Sequence, residues 1–183
     1  YLHMYDMLKG LKDGGTFLLN CSWNQEELDS HLPAHVKRYI ADHKIKFYTI
    51  DATHLAKEIG LGNRTNTIMQ SAFFKIANVI PYEQAVEQMK KAIVKTFGMK
   101  GENIVNMNFE AVDNGGKVVE IAVPASWANE AAEVVFPTNE KAPQFIKDFV
   151  FPVNAQKGDD LPVSIFKDRE DGTLPAGTTA FEK

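Results

Sequence analysis

Hydrophobic residues in the first fifty positions alternate between helical spacing and short continuous runs. In residues 2–11, leucine and tyrosine recur three positions apart, which predicts a helix, and Gly14 with Gly15 fits its left-handed C-terminal cap. Thr16–Asn20 and Lys46–Ile50 are short apolar runs of the kind found in strands that are covered on both faces. Because the helical pattern is already present at the first residues, we expect the chain to be a segment of a longer protein.

Two predicted helices lie between these strands. Residues 25–32 are compatible with a helix, and Pro33 suits the first turn of another over residues 34–43. A strand–helix–strand unit with short connections predicts a parallel pair and a right-handed crossover. Because two strands are too few to cover the helices, further strands are expected from sequence before Tyr1. The pattern predicts an α/β fold: a partial Rossmann-like domain with a short parallel sheet, several packed helices and a long extended C-terminal arm.

The middle of the chain is predicted to be mostly helical. The expected helices are 52–59 after an Asp51 cap, Asn63 or Arg64 to about Val79, one from Pro81 through Phe97, and one from Glu102 through Ala111. Residues 113–123 fit two predictions. Residues 113–116 read as a turn followed by a strand over 117–123, and they also read as a continued helix that carries a glycine pair.

Prolines punctuate the chain from Pro124 onward, and only residues 143–149 have a helical pattern there. Loops as long as the remaining segments are uncommon unless they are functional or docked on another surface. The sequence therefore predicts two parts: residues 1–123 as an α/β domain, and residues 124–183 as an extended arm toward the next domain.

Composition limits the classes of function. The 183 residues are 44% hydrophobic and carry a net charge of −4, which gives no electrostatic reason to expect nucleic acid or an anionic membrane as partner. No apolar run approaches the ~20 residues that cross a bilayer, and no signal peptide is recognised. A single cysteine, Cys21, excludes an internal disulfide framework and favours a reducing, cytoplasmic setting.

The glycine turn at residues 60–64 is the strongest candidate for ligand binding. Gly62, Asn63 and Arg64 precede a helix, so backbone N–H groups and a guanidinium could bind a phosphate, such as a pyrophosphate of coenzyme A. The turn does not follow a strand, and the third glycine of the dinucleotide fingerprint is missing. The alternative is a helix–helix turn stabilised by Asn63, with Arg64 in a surface salt bridge.

Other polar residues fit structural roles at least as well. Asp51 and His54 could form an acid–base pair or simply start a helix. Cys21 and Ser22 follow a strand, where α/β folds place ligand contacts, and Ser164 is a further hydroxyl, yet none of them has a recognisable base.

Metal and aromatic sites have similar alternatives. His31, His35 and His43 are too far apart on a helical wheel to share a metal, and the acidic turn at residues 158–160 is typical of a solvated loop. The candidate aromatic anchors are Trp23, Trp127 and Phe181. The pattern therefore predicts no catalytic residue and no metal site.

Motifs in order along the whole chain resemble the pyruvate:ferredoxin (flavodoxin) oxidoreductases. They are 13–20 with Trp23, 60–64 with 68–70, Pro81, 83–85, 90–91, Gly98, Gly101, Pro124, 126–127, 161–164, 171–173 and 177–178. The resemblance implies the C-terminal part of a gamma-type, Rossmann-like domain and the linker beyond it. It also implies a parent enzyme that converts pyruvate and coenzyme A to acetyl-CoA, CO2 and reduced ferredoxin or flavodoxin.

By the same resemblance, thiamine diphosphate, Mg²⁺ and [4Fe–4S] clusters are bound by other domains of the parent. This chain is then expected to bind no cofactor itself, to have those domains as partners, and to be inactive alone. The leading hypothesis is a non-catalytic structural domain. The alternative is a coenzyme A-binding module that contributes phosphate contacts near residues 60–64.

Overall fold

A computed structural model describes residues 2–134 and 139–181. Parts of the predicted arm, at 135–138 and 182–183, and Tyr1 lie outside the described residues. The strands are β1 (Thr16–Asn20), β2 (Lys46–Ile50) and β3 (Val119–Ile121). The helices are α1 (Gln25–His31), α2 (Ala34–Asp42), α3 (Ala52–Ile59), α4 (Asn66–Ala77), α5 (Tyr82–Phe97), α6 (Glu102–Gly115) and α7 (Phe151–Asn154).

The sheet has the order β1-β2-β3 and is mixed. β1 and β2 are parallel, with Thr16 opposite Lys46, and α1 and α2 form the crossover between them. β3 pairs antiparallel with β2, with Ile121 opposite Phe47. The predicted α/β fold and its parallel pair are confirmed, and the antiparallel third strand makes the sheet mixed.

Local sequence explains where the first helices begin. The Asn24 side chain accepts hydrogen bonds from the backbone N–H groups of Glu26 and Glu27, and the Glu27 carboxylate accepts one from the Asn24 N–H, which completes a capping box at α1. The carboxylate of Asp51 caps α3 by accepting the His54 N–H at 2.9 Å. Gly60 ends α3 with φ +90°, a conformation that strongly favours glycine.

Two main apolar clusters lie on the sheet. The first joins α1, α2 and β2 around the fully buried Leu28, Val36, Ile40 and Phe47. The second packs α3, α4 and α6 against the end of β2 and includes Ile50, Ala56, Ile68, Ala72 and Ala111. α5 covers α6 through a smaller cluster of Met89, Ile93 and Val112.

The predicted helix over residues 2–11 is wrong, because these residues form successive turns. Leu2 and Leu8 are nevertheless buried, and the Tyr39 hydroxyl donates to the Leu11 carbonyl at 2.7 Å. Short helices are marginal without packing, and turns bury the same leucines. Gly14 is therefore not a helix cap: its N–H donates to the His43 carbonyl at 2.8 Å beside the sheet.

Other element bounds differ from the sequence pattern. α4 begins at Asn66, later than Asn63 or Arg64. Two structures were expected for residues 113–123. The predicted turn at 113–116 is wrong, because α6 continues through Gly115. The predicted strand is present, but it is shorter and forms β3.

The C-terminal segment contains little regular structure. A π-helical turn, Ile146–Val150, leads into α7, and short 3₁₀ turns follow. Within residues 139–181, Ala142 and Ile146 are buried, and Phe149 contacts both Phe145 and Phe166. The segment is therefore an arm of short turns with few core residues.

Candidate functional site

The loop between α3 and α4 is a compact turn. Gly60 and Gly62 have φ values of +90° and +63°, and the Leu61 N–H donates to the Ala56 carbonyl at 2.8 Å, which buries the leucine side chain. Arg64 N–H then donates to the Leu61 carbonyl at 3.2 Å. Thr65 precedes α4, and its side chain makes no cap hydrogen bond, so the first N–H groups of this helix have no side-chain acceptor.

This loop forms one wall of a cavity of about 560 Å³ between α4, α5 and α6. Its apolar lining includes Leu61, Phe74, Met89, Ile93 and Ile104. Its polar lining includes Asn66, Thr67, Gln70, Gln88, Thr96 and Asn108. A cavity of this size with a mainly apolar wall and several polar groups has the general form of a small-molecule site.

Two cations, Arg64 and Lys100, also line the cavity, and both are exposed. The Lys100 ammonium lies 5.4 Å from the centre of the Phe97 ring. Within residues 2–134 and 139–181, no carboxylate forms an ion pair with either cation. Among the residues that the structure describes, the surface salt bridge considered for Arg64 is not formed, and both cations are exposed at the cavity.

The three residues predicted to bind phosphate have different positions. Arg64 lines the cavity, whereas Gly62 and Asn63 are exposed outside its lining. The Asn63 side chain makes no hydrogen bond within the described residues, so it does not stabilise the turn in the expected way. Their role in binding remains a prediction.

Asp51 and His54 have structural partners. The Asp51 carboxylate caps α3, as noted above, and the His54 ring lies 3.2 Å from the Glu58 carboxylate one turn further along the helix. His54 is about two-thirds exposed. The helix-start interpretation of this pair is therefore confirmed.

His31, His35 and His43 have different neighbours. His31 stacks on Trp23, His43 stacks on Tyr39 and contacts the Asp13 carboxylate, and His35 is buried in α2. Burial lowers the pKa of His35, an effect that the charge of Asp6 partly offsets. Across the described ranges, no three His, Cys, Asp or Glu side chains come close enough to hold a metal ion.

Cys21 has the properties of a structural cysteine. Burial raises the pKa of its thiol, the Trp23 backbone acts in the opposite direction, and the charge of Asp51 adds to the rise. A raised thiol pKa lowers the fraction of reactive thiolate. Ser22 and Ser164 are exposed, and neither hydroxyl forms a hydrogen bond to a histidine within residues 2–134 and 139–181.

The aromatic candidates differ in burial. Trp127 is almost fully buried, whereas Trp23 and Phe181 are partly exposed. Trp127 therefore belongs to the core rather than to an open stacking surface. The acidic turn at residues 158–160 is exposed, as expected for a solvated loop.

Comparison with known proteins assigns the chain to a family. The model of the pyruvate ferredoxin/flavodoxin oxidoreductases matches residues 1–118, which is well over half of the chain. The chain belongs to this oxidoreductase family. A second family model, described as a domain of unknown function and named EKR, matches residues 131–183.

Relatives with oxidoreductase names align with the whole chain. A pyruvate-flavodoxin oxidoreductase of Enterobacter agglomerans and a pyruvate:ferredoxin oxidoreductase of Moorella thermoacetica are each 54% identical over 184 residues. A pyruvate dehydrogenase (NADP+) of Cryptosporidium parvum is 41% identical over 210 residues. All of this chain is covered in each case, but it spans only 16%, 16% and 11% of these relatives. The resemblance to the oxidoreductase family is therefore confirmed, for a chain that corresponds to a small part of each relative.

Two features of this oxidoreductase-family domain were not found from sequence. Lys100 joins Arg64 at the cavity although 36 positions separate them, and only the packing of α5 and α6 reveals this. Lys37 is buried in α2, where a surface lysine would be expected.

Within the described residues, none of the helices combines the length and apolar character that a membrane span requires.

Proposed function

We propose that this chain is a structural, non-catalytic domain of a pyruvate:ferredoxin or pyruvate:flavodoxin oxidoreductase. The parent would convert pyruvate and coenzyme A to acetyl-CoA and CO2 in the cytoplasm and pass electrons to ferredoxin or flavodoxin. Membership of the family and full-length alignment to relatives that bear these names support the proposal. The observation that carries the structural role is the outer edge of β1.

In the part of the chain that the structure describes, the outer edge of β1 has backbone groups without a strand partner. The Lys46 N–H donates to the Gly15 carbonyl at 2.9 Å, and the Cys21 N–H donates to the Ile50 carbonyl at 3.0 Å. Because alternate residues of a parallel strand bond to the same neighbour, Thr16, Leu18 and Asn20 direct their N–H and C=O groups away from β2. Among the described residues, no strand pairs with this side.

Edge strands that remain exposed are normally protected by charged residues, proline or a bulge. β1 contains none of these: it carries Phe17, Leu18 and Leu19, all partly buried, in an unbroken parallel register with β2. Parallel strands with apolar side chains are usually interior strands of a sheet. We therefore propose that a strand from another segment of the parent enzyme pairs with β1.

The redox cofactors would be held by other domains of the parent. A [4Fe–4S] cluster needs four cysteine ligands, and this sequence contains only Cys21. The residues present do not fit that group, so no step through a cluster is assigned to this chain. Thiamine diphosphate with Mg²⁺ is proposed to bind elsewhere on the resemblance alone.

Amide hydrogen exchange tests the structural role. In the full-length parent, the amides of Leu18 and Asn20 should exchange at least ~100-fold more slowly than in the isolated chain, because the added strand would bond them. The amides of Leu19 and Cys21 are internal controls, since both face β2 and should be protected in both proteins. Equal exchange of Leu18 in the two proteins would contradict the proposal.

A second candidate function, coenzyme A binding, is favoured by the cavity. Arg64 and Lys100, two exposed cations that form no ion pair with a carboxylate among the described residues, line the same cavity, and Arg64 shortly precedes the uncapped start of α4. An anionic phosphate group is the chemistry that suits them. The adjoining apolar wall could hold a longer, less polar arm of the ligand.

Calorimetric titration of coenzyme A into the chain tests this candidate. Arg64→Ala and Lys100→Ala should each weaken binding by roughly tenfold, because each removes a charge-assisted contact. Lys95→Ala is the matched control, as this exposed lysine on α5 does not line the cavity. No saturable heat with the unmodified chain would exclude coenzyme A contacts within this domain.

A further inference from the structure

A 3₁₀ turn after the sheet, Ala125–Asn129, packs on α2 and buries Trp127. The indole is only 1% exposed and lies 6.3 Å, between ring centres, from Phe47 of β2. It belongs to the same apolar cluster as Leu28 and Val36. A segment beyond the predicted domain boundary at residue 123 therefore supplies one of the largest side chains in the core.

Asp29, at the C-terminal part of α1, connects Trp127 to α2. The indole Nε1–H donates to Asp29 Oδ1 at 2.7 Å. The Lys37 ammonium donates to the Asp29 carbonyl at 3.0 Å and lies 3.6 Å from Asp29 Oδ1. One residue thus binds both the buried indole and a lysine from the next helix.

Glu130, just after the 3₁₀ turn, binds two residues of α2. Its carboxylate lies 2.5 Å from the Lys37 ammonium, and its backbone carbonyl accepts a hydrogen bond from Arg38 Nη1 at 3.1 Å. The Lys37 side chain is 9% exposed, so most of the water around its charge has been replaced by these oxygens. Because the ammonium is buried while the Asp29 and Glu130 side chains are 62% and 33% exposed, removal of either carboxylate weakens the compensation of the Lys37 charge.

Residues 124–130, which make these contacts with α1 and α2, lie between the two family matches, 1–118 and 131–183. We propose that residues 124–130, here named the clasp, belong to the same cooperative folding unit as α1 and α2. The clasp also fixes the point at which the chain leaves the α/β domain. This moves the predicted domain boundary from residue 123 to residue 130.

Limited digestion of the full chain with a glutamate-specific protease tests the proposal without any substitution. Glu130 lies within the clasp, and the exposed Glu133 lies just beyond it. Cleavage after Glu133 should be at least ~10-fold faster than cleavage after Glu130, because the latter requires the clasp to open. Comparable rates at the two sites would overturn the proposal.

Tryptophan fluorescence gives a second, independent test. Trp23→Phe leaves Trp127 as the sole tryptophan, since the chain contains two. In that background, Asp29→Ala should raise acrylamide quenching of Trp127 at least ~3-fold, because the indole loses its hydrogen-bond acceptor. Lys37→Met should do the same, because the clasp loses the ion pair that Glu130 makes with α2. Glu26→Ala is the matched control: this exposed carboxylate lies on α1, as Asp29 does, but within the described residues its side chain makes no hydrogen bond or ion pair to the clasp.

The control variant should show the same acrylamide quenching of Trp127 as the Trp23→Phe chain. Unchanged quenching in both clasp variants would overturn the proposal. If either clasp variant unfolds, shown by loss of far-ultraviolet circular dichroism, Glu130→Gln replaces it. This variant removes the charge that pairs with Lys37 at the C-terminal end of the clasp and should raise quenching by a smaller, measurable factor.

Discussion

A methyl group added at Gly115 would lie 2.4 Å from the Cβ atom of Ser71 and 2.5 Å from the Ile68 carbonyl oxygen. The helices α4 and α6 approach closely at this point, and the fully buried Ser71 hydroxyl donates to the Val112 carbonyl at 2.6 Å. Because Ile68 and Ser71 are both on α4, this approach fixes the helix that also lines the cavity.

We expect Gly115→Ala to destabilise the chain by roughly 1–3 kcal/mol, because a backbone carbonyl cannot move aside without shifting α4. Urea denaturation measures the change. Gly98→Ala is the matched control: its backbone is helical, with φ −54°, and the nearest atom to an added Cβ is 4.0 Å away. An equal loss in both variants would mean that the close approach is not the cause.

Replacing the two tryptophans should have unequal effects. Trp127→Ala removes a buried indole and its bond to Asp29, so we expect a loss of about 3–5 kcal/mol. Trp23 is partly exposed and stacks on His31, so Trp23→Ala should cost less than half as much. Thermal denaturation followed by circular dichroism compares the two variants. Equal melting temperatures would contradict the difference in burial between Trp127 and Trp23.

The capping box at α1 predicts a graded response at Asn24. Asn24→Ala should lower the free energy of unfolding by about 1 kcal/mol, because two N–H groups of the first turn lose their acceptor. Asn24→Asp keeps an acceptor oxygen and should remain within ~0.3 kcal/mol of the parent chain. A similar loss in both variants would show that the cap hydrogen bonds do not stabilise α1.

His35 should make stability dependent on pH. Because burial lowers its pKa in the folded chain, the unfolded chain binds the proton first as pH falls through the ordinary histidine range near 6.5. Stability from this residue is therefore complete above that range and decreases below it. The charge of Asp6 opposes this loss and the charge of His3 adds to it.

Melting temperatures between pH 7.5 and 5.5 measure this effect. His35→Leu should flatten the decrease, because it removes the buried imidazole. A decrease of the same size in the His35→Leu variant would assign the pH dependence to other groups.

Short segments that determine their own structure could be predicted from the sequence. Thr16–Asn20 and Lys46–Ile50 are the observed strands, and the start of α3 follows from one carboxylate, Asp51. For the cavity, only Arg64 was anticipated. Lys100 could not be found, because no local pattern indicates that the 3₁₀ turn after α5, Gly98–Lys100, will line the same cavity as the α3–α4 loop.

The amino-acid sequence by itself determined the α/β order, the parallel strand pair and the caps, because hydrophobic spacing and cap hydrogen bonds act over a few residues. Tertiary structure alone decided the rest. Residues 2–11 form turns because packing buries Leu2 and Leu8 without a helix, and Gly115 remains in α6 because Ser71 approaches it. Trp127 and Lys37 became core residues through contacts across about ninety positions, which no local pattern encodes.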